Sequence, residues 1–258
     1  EIIKENQRIK SKSVGVLLTP IEKSTDFSER LGCDVYLKCE HLQYTGSFKF
    51  RGALNKVLLL SDRQRGQGVV AASTGNHGLG VALAAQRGNT SATVYVPENA
   101  SPMKLHAMAS LGAAIVKTEG ANALHAEQIA REQSEKQAKV FISPYNDIDV
   151  IAGQGTIGVE LLDQCADLDA IFIAVGGGGL LSGIGTMMKS VKPNVEIIGC
   201  WPENAPAMYD SLNAGSIVMD SVEQPTLSDG TAGGVEAGAM TFDLCQRVID
   251  NKVLVSEE

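Results

Sequence analysis

No apolar run in this sequence approaches the roughly 20 residues that a membrane-spanning helix needs. The polar stretch 1–12 does not read as a signal peptide. Excess positive charge is also missing: a net charge of −8 argues against nucleic acid or an anionic membrane surface as the partner. The five cysteines (Cys33, Cys39, Cys165, Cys200, Cys245) form no CxxC pair, and the four histidines (His41, His77, His106, His125) form no HxxxH or HExxH. That argues against a structural zinc site, and scattered cysteines in odd number suit the reduced thiols of a cytoplasm. No repeat period and no low-complexity linker is visible. What is present is ordinary for a water-soluble globular chain: 258 residues, 44% hydrophobic, 20% charged, with 27 glycines for tight turns. That length allows one large or two medium domains.

The order of apolar and polar stretches supplies the fold class. Residues 1–13 read as a polar helix leading into 14–18, and Thr19-Pro20 breaks the pattern. Residues 34–39 (DVYLKC) read as a short strand. After a helix over 53–60, strands at 69–72, 92–96, 113–117 and 140–142 alternate with helices at 76–87, 101–111 and 121–136. A second block follows: an amphipathic helix over 148–165, the continuous apolar run AIFIAV at 170–175, a helix over 180–191 and a strand over 195–200. A helix over 240–250 and the short run 253–255 come last. Strands alternating with helices of this length imply parallel βαβ units, and two such blocks imply two α/β domains. Arg131-Glu132 with Glu135-Lys136 reads as a solvated helix face with i,i+4 pairs, and Met103, Met108, Met187 and Met188 as core filling.

Three stretches carry chemistry. In Ser47-Phe48-Lys49-Phe50-Arg51-Gly52, Gly46-Ser47 reads as a turn and N-cap, which puts Lys49 in a first helical turn. There the macrodipole opposes a positive charge and favours the neutral amine, a nucleophile able to form a Schiff base with a carbonyl. A surface lysine packed on Phe48 and Phe50 is the plainer alternative. The tetraglycine Gly176, Gly177, Gly178, Gly179 sits where a buried strand gives way to a helix. Free N–H groups and absent side chains there fit a phosphate, although no Gly-Lys-Ser/Thr and no clean GxGxxG accompanies them. Ser73-Thr74-Gly75-Asn76-His77-Gly78 is a second strand-to-helix loop, a natural carboxylate cradle or, more simply, a helix cap.

SFKFRGA, STGNHG and GGGGL, in this order, together with Thr19-Pro20 and LSDGTAGG at 227–234, resemble the pyridoxal-phosphate enzymes of fold type II. The likeness is strongest to the serine/threonine dehydratase group, which includes serine racemases and hydroxyectoine-utilisation dehydratases. It runs from about Val16 to the end. The resemblance implies a tryptophan-synthase-β-like architecture of two domains, each with a mostly parallel sheet flanked by helices. The large phosphate-binding domain would cover 1–50 and 144–258, the small carboxylate-binding domain 51–143. The resemblance also implies that Lys49 holds pyridoxal 5′-phosphate as a Schiff base and later acts as base on the substrate Cα. Phe48 would pack near the ring, and Asn76 would bond its phenolic oxygen. Gly176, Gly177, Gly178, Gly179 and Leu180 would hold the phosphate, and Gly234 with Val235 and Glu236 would lie along the ring edge. Ser73, Thr74, Gly75, Asn76 and His77 would receive the substrate carboxylate.

The implied reaction is β-elimination of water from a small β-hydroxy amino acid of serine or threonine type, giving a 2-keto acid and ammonia. Hydroxyectoine-derived and 3-hydroxyaspartate substrates are alternatives, and a homodimer is usual for the group. Thr74 stands where racemases carry a second acid/base serine, which leaves a serine- or aspartate-type racemase as a further reading. Trp201 and Ala207 occupy the positions of the acidic cation ligands of racemase-like members, so no metal is expected there. Family members continue past Glu258, and that part is expected to carry the hydroxyl facing the pyridine nitrogen. Rival readings are a β-replacement synthase, disfavoured by SFKFRG, a non-catalytic binding protein of the same fold, and a nicotinamide oxidoreductase, disfavoured by the imperfect glycine fingerprint.

Overall fold

The computed structural model describes residues 2–10, 15–120 and 123–258. The chain begins with α1 (Ile2–Ile9), a hairpin of β1 (Ile21–Lys23) and β2 (Tyr36–Lys38) enclosing α2 (Thr25–Leu31), and a 3-10 turn at Glu40–Leu42. Then come α3 (Lys49–Leu58), α4 (Asp62–Gln67), β3 (Val69–Ala72), α5 (Asn76–Arg87), β4 (Ala92–Pro97) and α6 (Pro102–Ser110). β5 (Ala114–Thr118), α7 (Ala123–Lys136) and β6 (Val140–Phe141) complete the first block. The second block holds α8 (Ile148–Gln164), β7 (Ala170–Ala174), α9 (Gly179–Val191), β8 (Glu196–Pro202), α10 (Ala207–Ala214), α11 (Met240–Val248) and β9 (Asn251–Val255).

The alternation expected from the sequence forms two parallel sheets, ordered β5-β4-β3-β6 and β7-β8-β9, both flanked by helices. One core gathers α3, α5 and the four-stranded sheet around Phe50, Leu54, Val81, Val94 and Met108. A second gathers α9, α10 and α11 around Leu181, Met188, Ile197, Trp201 and Met208. Helix α8 feeds both, giving Val150 to the first and Ile157 and Leu161 to the second. Glycines let it approach its neighbours closely. A Cβ at Gly52 would stand 2.7 Å from the Val150 carbonyl, and one at Gly183 would stand 2.6 Å from the Gly155 nitrogen.

A buried ionic cluster ties the N-terminal hairpin to this frame. Arg51, fully buried, donates to Glu40 at 2.7 Å and to Glu160 at 2.9 Å, and Lys38 donates to Glu160 at 2.7 Å. Residues 11–14 of the expected first helix and following run lie outside the described residues, as do 121–122 of the expected helix over 121–136. Other expectations need correction. Helix α3 starts at Lys49, as expected, but its N-cap is Phe48, which has helical angles (φ −62°, ψ −20°) and supplies no side-chain cap. Ser47 does not cap; its hydroxyl is buried without a hydrogen-bond partner. Met103 is 82% exposed rather than core, whereas Met108, Met187 and Met188 are buried. Arg131 does not sit only on a solvated face: besides Glu127 it pairs with Glu236 at 2.9 Å, from a segment more than 100 residues away, and it covers the Phe141 ring.

Candidate active site

The segment that leaves β6, Ile142-Ser143-Pro144-Tyr145-Asn146, gathers the stretches that the sequence sets apart. The Lys49 amine donates to the Pro144 carbonyl at 2.8 Å and lies 5.3 Å from the Phe48 ring centre. The His77 ring Nε2 lies 2.8 Å from the Ile142 carbonyl oxygen. The Tyr145 ring lies against the tetraglycine: a Cβ at Gly177 would be 2.5 Å from its Cδ1, and one at Gly179 would be 2.9 Å from its Cα. The Tyr145 hydroxyl accepts the Glu236 N–H at 2.9 Å, and Asn146 Oδ1 accepts the Met240 N–H at 2.9 Å.

Lys49 is brought to this segment by a close helix crossing. At Gly80 of α5 an added Cβ would stand 3.1 Å from the Lys49 carbonyl carbon, so glycine lets the N-terminal parts of α3 and α5 meet. Burial lowers the Lys49 amine from 10.5 to about 8. The neutral amine is thus reached at lower pH than in water, the direction expected, but the cause is desolvation rather than the helix dipole. His77, buried, is pushed down to about 3 by desolvation and then by the charge of Lys49. It is a neutral ring, and the Ile142 carbonyl takes the proton of Nε2.

The loop after β3 does not cap its helix with a side chain. Gly75 is the N-cap of α5, and the Ser73 hydroxyl instead accepts the Gly75 N–H at 3.2 Å. The simpler reading of STGNHG as a helix cap therefore fails, and the first N–H groups of α5 are left for another acceptor. Thr74 and Gly75 are partly buried in the loop; Asn76 opens the helix and is exposed. The tetraglycine ends β7 and starts α9, whose N-cap Gly178 has φ 85° and no side-chain cap. Leu180, in the first turn of α9, is partly buried and packs on the second core. Gly234 is exposed, with open space where a Cβ would point. Trp201 is buried, with its ring 5.7 Å from that of Tyr209. Tyr145 is a site residue that the sequence did not reveal: no glycine pattern or charge marks it, and only the fold sets it on Gly177.

The set of donors fits pyridoxal phosphate: a lysine amine poised near neutrality, an uncapped helix N-terminus whose glycines leave no room for side chains, and a second uncapped helix start. Comparison with known proteins agrees. Residues 12–258 match the model of the family described as pyridoxal-phosphate dependent enzyme, and the chain belongs to that family. It is 45% identical, over its whole length, to the L-threonine ammonia-lyase of Thermotoga maritima, of which it covers 63%. It is 41% identical over 93% of its length to the L-threonine ammonia-lyase of Geobacter sulfurreducens, covering 59% of it. The chain thus spans about three fifths of the length of these two curated relatives. Among solved structures, the processed form of threonine deaminase isoform 2 from Solanum lycopersicum superposes with a TM-score of 0.92 at 40% identity, covering 99% of this chain and 73% of that one. Serine racemase from Dictyostelium discoideum gives 0.88 at 36% identity, covering 99% and 80%. No helix among the described residues is long and apolar enough to cross a membrane.

Proposed function

We propose that this chain carries the site of a pyridoxal-phosphate-dependent ammonia-lyase that removes water from a small β-hydroxy amino acid of threonine or serine type. The observation that carries the reading is the Lys49 amine, near 8, held on the Pro144 carbonyl beside the residue that backs the tetraglycine loop. When bound, the cofactor supplies an electrophilic aldehyde and an electron sink that makes the substrate Cα–H acidic. Lys49 is the attachment point and the base that accepts the α-proton at Nζ; Pro144 orients that nitrogen. The loop Gly176 to Leu180 binds the phosphate through its N–H groups at the positive end of α9, assisted by the helix dipole. The loop Ser73, Thr74, Gly75, Asn76 with His77 receives the substrate carboxylate at the start of α5. His77, neutral and committed to Ile142, steadies that loop and does not exchange protons near neutral pH. Phe48 packs beside the amine, and Gly234 with Val235 and Glu236 lies along the cofactor's ring edge. Net, water leaves in the elimination and returns in hydrolysis, so the β-hydroxy amino acid yields a 2-keto acid and ammonia.

We assign the division into 1–50 with 144–258, and 51–143, to the two domains of this enzyme; the separation of the parallel strands into one sheet of β3 to β6 and another of β7 to β9 supports it. A cytoplasmic homodimer completes the proposal, in keeping with five unpaired cysteines. The test is borohydride reduction of the protein with added pyridoxal phosphate, followed by peptide mapping, and release of 2-keto acid from L-threonine and L-serine. The label should fall on Lys49, and Lys49→Ala should abolish turnover. Turnover retained in Lys49→Ala, or label on another lysine, would overturn the mechanism.

A further inference from the structure

We propose that Tyr145 is a positioning residue that sets the phosphate-binding loop against Lys49, and that its ring is the reason residue 177 is glycine. This rests on the assignment of the tetraglycine as a phosphate site. The ring face occupies the space that a side chain at 177 would need: the added Cβ would fall 2.5 Å from Cδ1 and 2.7 Å from Cδ2. At Gly179 the conflict is of another kind, with Cα, Cβ and the carbonyl oxygen of residue 145 at 2.9, 3.0 and 3.2 Å. Backbone and Cβ survive any substitution to alanine, whereas the ring does not.

Tyr145 is also pinned so that its ring cannot yield. On the chain side, the Ser143 hydroxyl accepts the N–H groups of Tyr145 at 3.4 Å and Asn146 at 3.0 Å. The neighbouring Pro144 carbonyl takes the Lys49 amine, and Asn146 takes the Met240 N–H. At the far end, the phenol oxygen holds the Glu236 N–H, and Glu236 is itself paired with Arg131. Burial keeps the phenol protonated, raised to about 12, so this link does not change with pH in the working range. One dipeptide, Pro144-Tyr145, therefore fixes the amine with its first residue and the glycine loop with its second. The spacing between the covalent anchor and the anion anchor follows from it.

The experiment compares binding of pyridoxal phosphate with pyridoxal, which keeps the aldehyde and lacks the phosphate, by absorbance titration of the full chain. Circular dichroism screens each variant for folding. Tyr145→Ala should reduce the preference for the phosphorylated form by about tenfold while pyridoxal binding stays within about twofold, since the loop loses its backing and Lys49 does not. Gly177→Ala should reduce the preference similarly, and adding Tyr145→Ala to it should restore a part, about threefold or more, because the ring that clashes is gone. Gly179→Ala should not be rescued by Tyr145→Ala. Tyr145→Phe keeps the ring, so it should hold the preference within about twofold and leave Gly177→Ala unrescued. Simple additivity at 177, equal rescue at 177 and 179, or a Tyr145→Phe that behaves as the alanine variant would overturn the proposal. A wild-type protein that does not prefer pyridoxal phosphate over pyridoxal would instead overturn the phosphate site, and this inference with it.

Discussion

Replacing Lys49 by methionine is expected to stabilise the fold at neutral pH. Burial holds the Lys49 amine at about 8 against an ordinary 10.5, so the folded state binds this proton less tightly than the unfolded chain. Below about pH 8 both states are charged, and the fold carries the full cost of the buried ammonium. Between about 8 and 10.5 only the unfolded chain keeps the proton, so stability rises with pH; above 10.5 both states are neutral and the cost is gone. The difference, 10.5 − 8, or about 2.5, at about 1.36 kcal/mol each, gives an upper bound of ~3 kcal/mol, reduced because solvent reaches part of the side chain. Methionine keeps the stem packing and gives up the hydrogen bond to Pro144, which costs about 1 kcal/mol. The net expectation is a gain of about 1–2 kcal/mol at pH 7 that turns into a loss of about 1 kcal/mol above pH 10.5. Urea unfolding of both proteins across this range, followed by the fluorescence of the single, buried Trp201, measures it. A Lys49→Met protein less stable than wild type at pH 7, or a difference that does not change with pH, would refute the reasoning.

Arg51→Leu should destabilise the fold by about 3–5 kcal/mol in the same assay, because the unexposed Glu160 side chain and Glu40 lose their shared guanidinium. A loss under about 1 kcal/mol would mean that Lys38 and Lys10 suffice to neutralise Glu160. His77 should show no titration between pH 5 and 8 by NMR, since burial and then the Lys49 charge hold it near 3; a midpoint near 6.5 would place it in solvent. Gly183→Ala should cost about 1–3 kcal/mol by forcing α8 and α9 apart. Gly66→Ala, with open space around the added methyl, should gain about 0.5–1 kcal/mol from helix propensity; equal effects at the two glycines would deny the close crossing.

The four-stranded sheet was legible because its central strands, VVAA at 69–72 and ATVYVP at 92–97, are nearly continuous apolar runs, and the second sheet because of the run AIFIA at 170–174. Short amphipathic pieces were not: α2, α4 and α10 and the strand Ile21–Lys23 carry too few residues for a period to show. The loops around Lys49, His77 and the tetraglycine could be found from residue types, since glycine runs at strand ends have few structural uses. What could not be found is what touches them. Tyr145 is an ordinary tyrosine until the fold lays it on Gly177, and Arg131 is an ordinary helix-face residue until Glu236 arrives from the other block. The neutral tendency of Lys49 was foreseen for the less important reason: local sequence shows a helix start, while burial depends on chain remote in sequence.

Helix α8 is shared between the cores, pressed on α3 at Gly52 and Gly153 and on α9 at Gly155 and Gly183. Neither core can melt while its neighbour stays intact without stripping one side of a helix packed on both. The two sheets should therefore unfold in a single cooperative step, with coincident transitions for fluorescence and circular dichroism, and the α8 amides should be among the slowest to exchange with solvent. Sliding of either neighbour along α8 is blocked as well, because it would drive backbone into backbone.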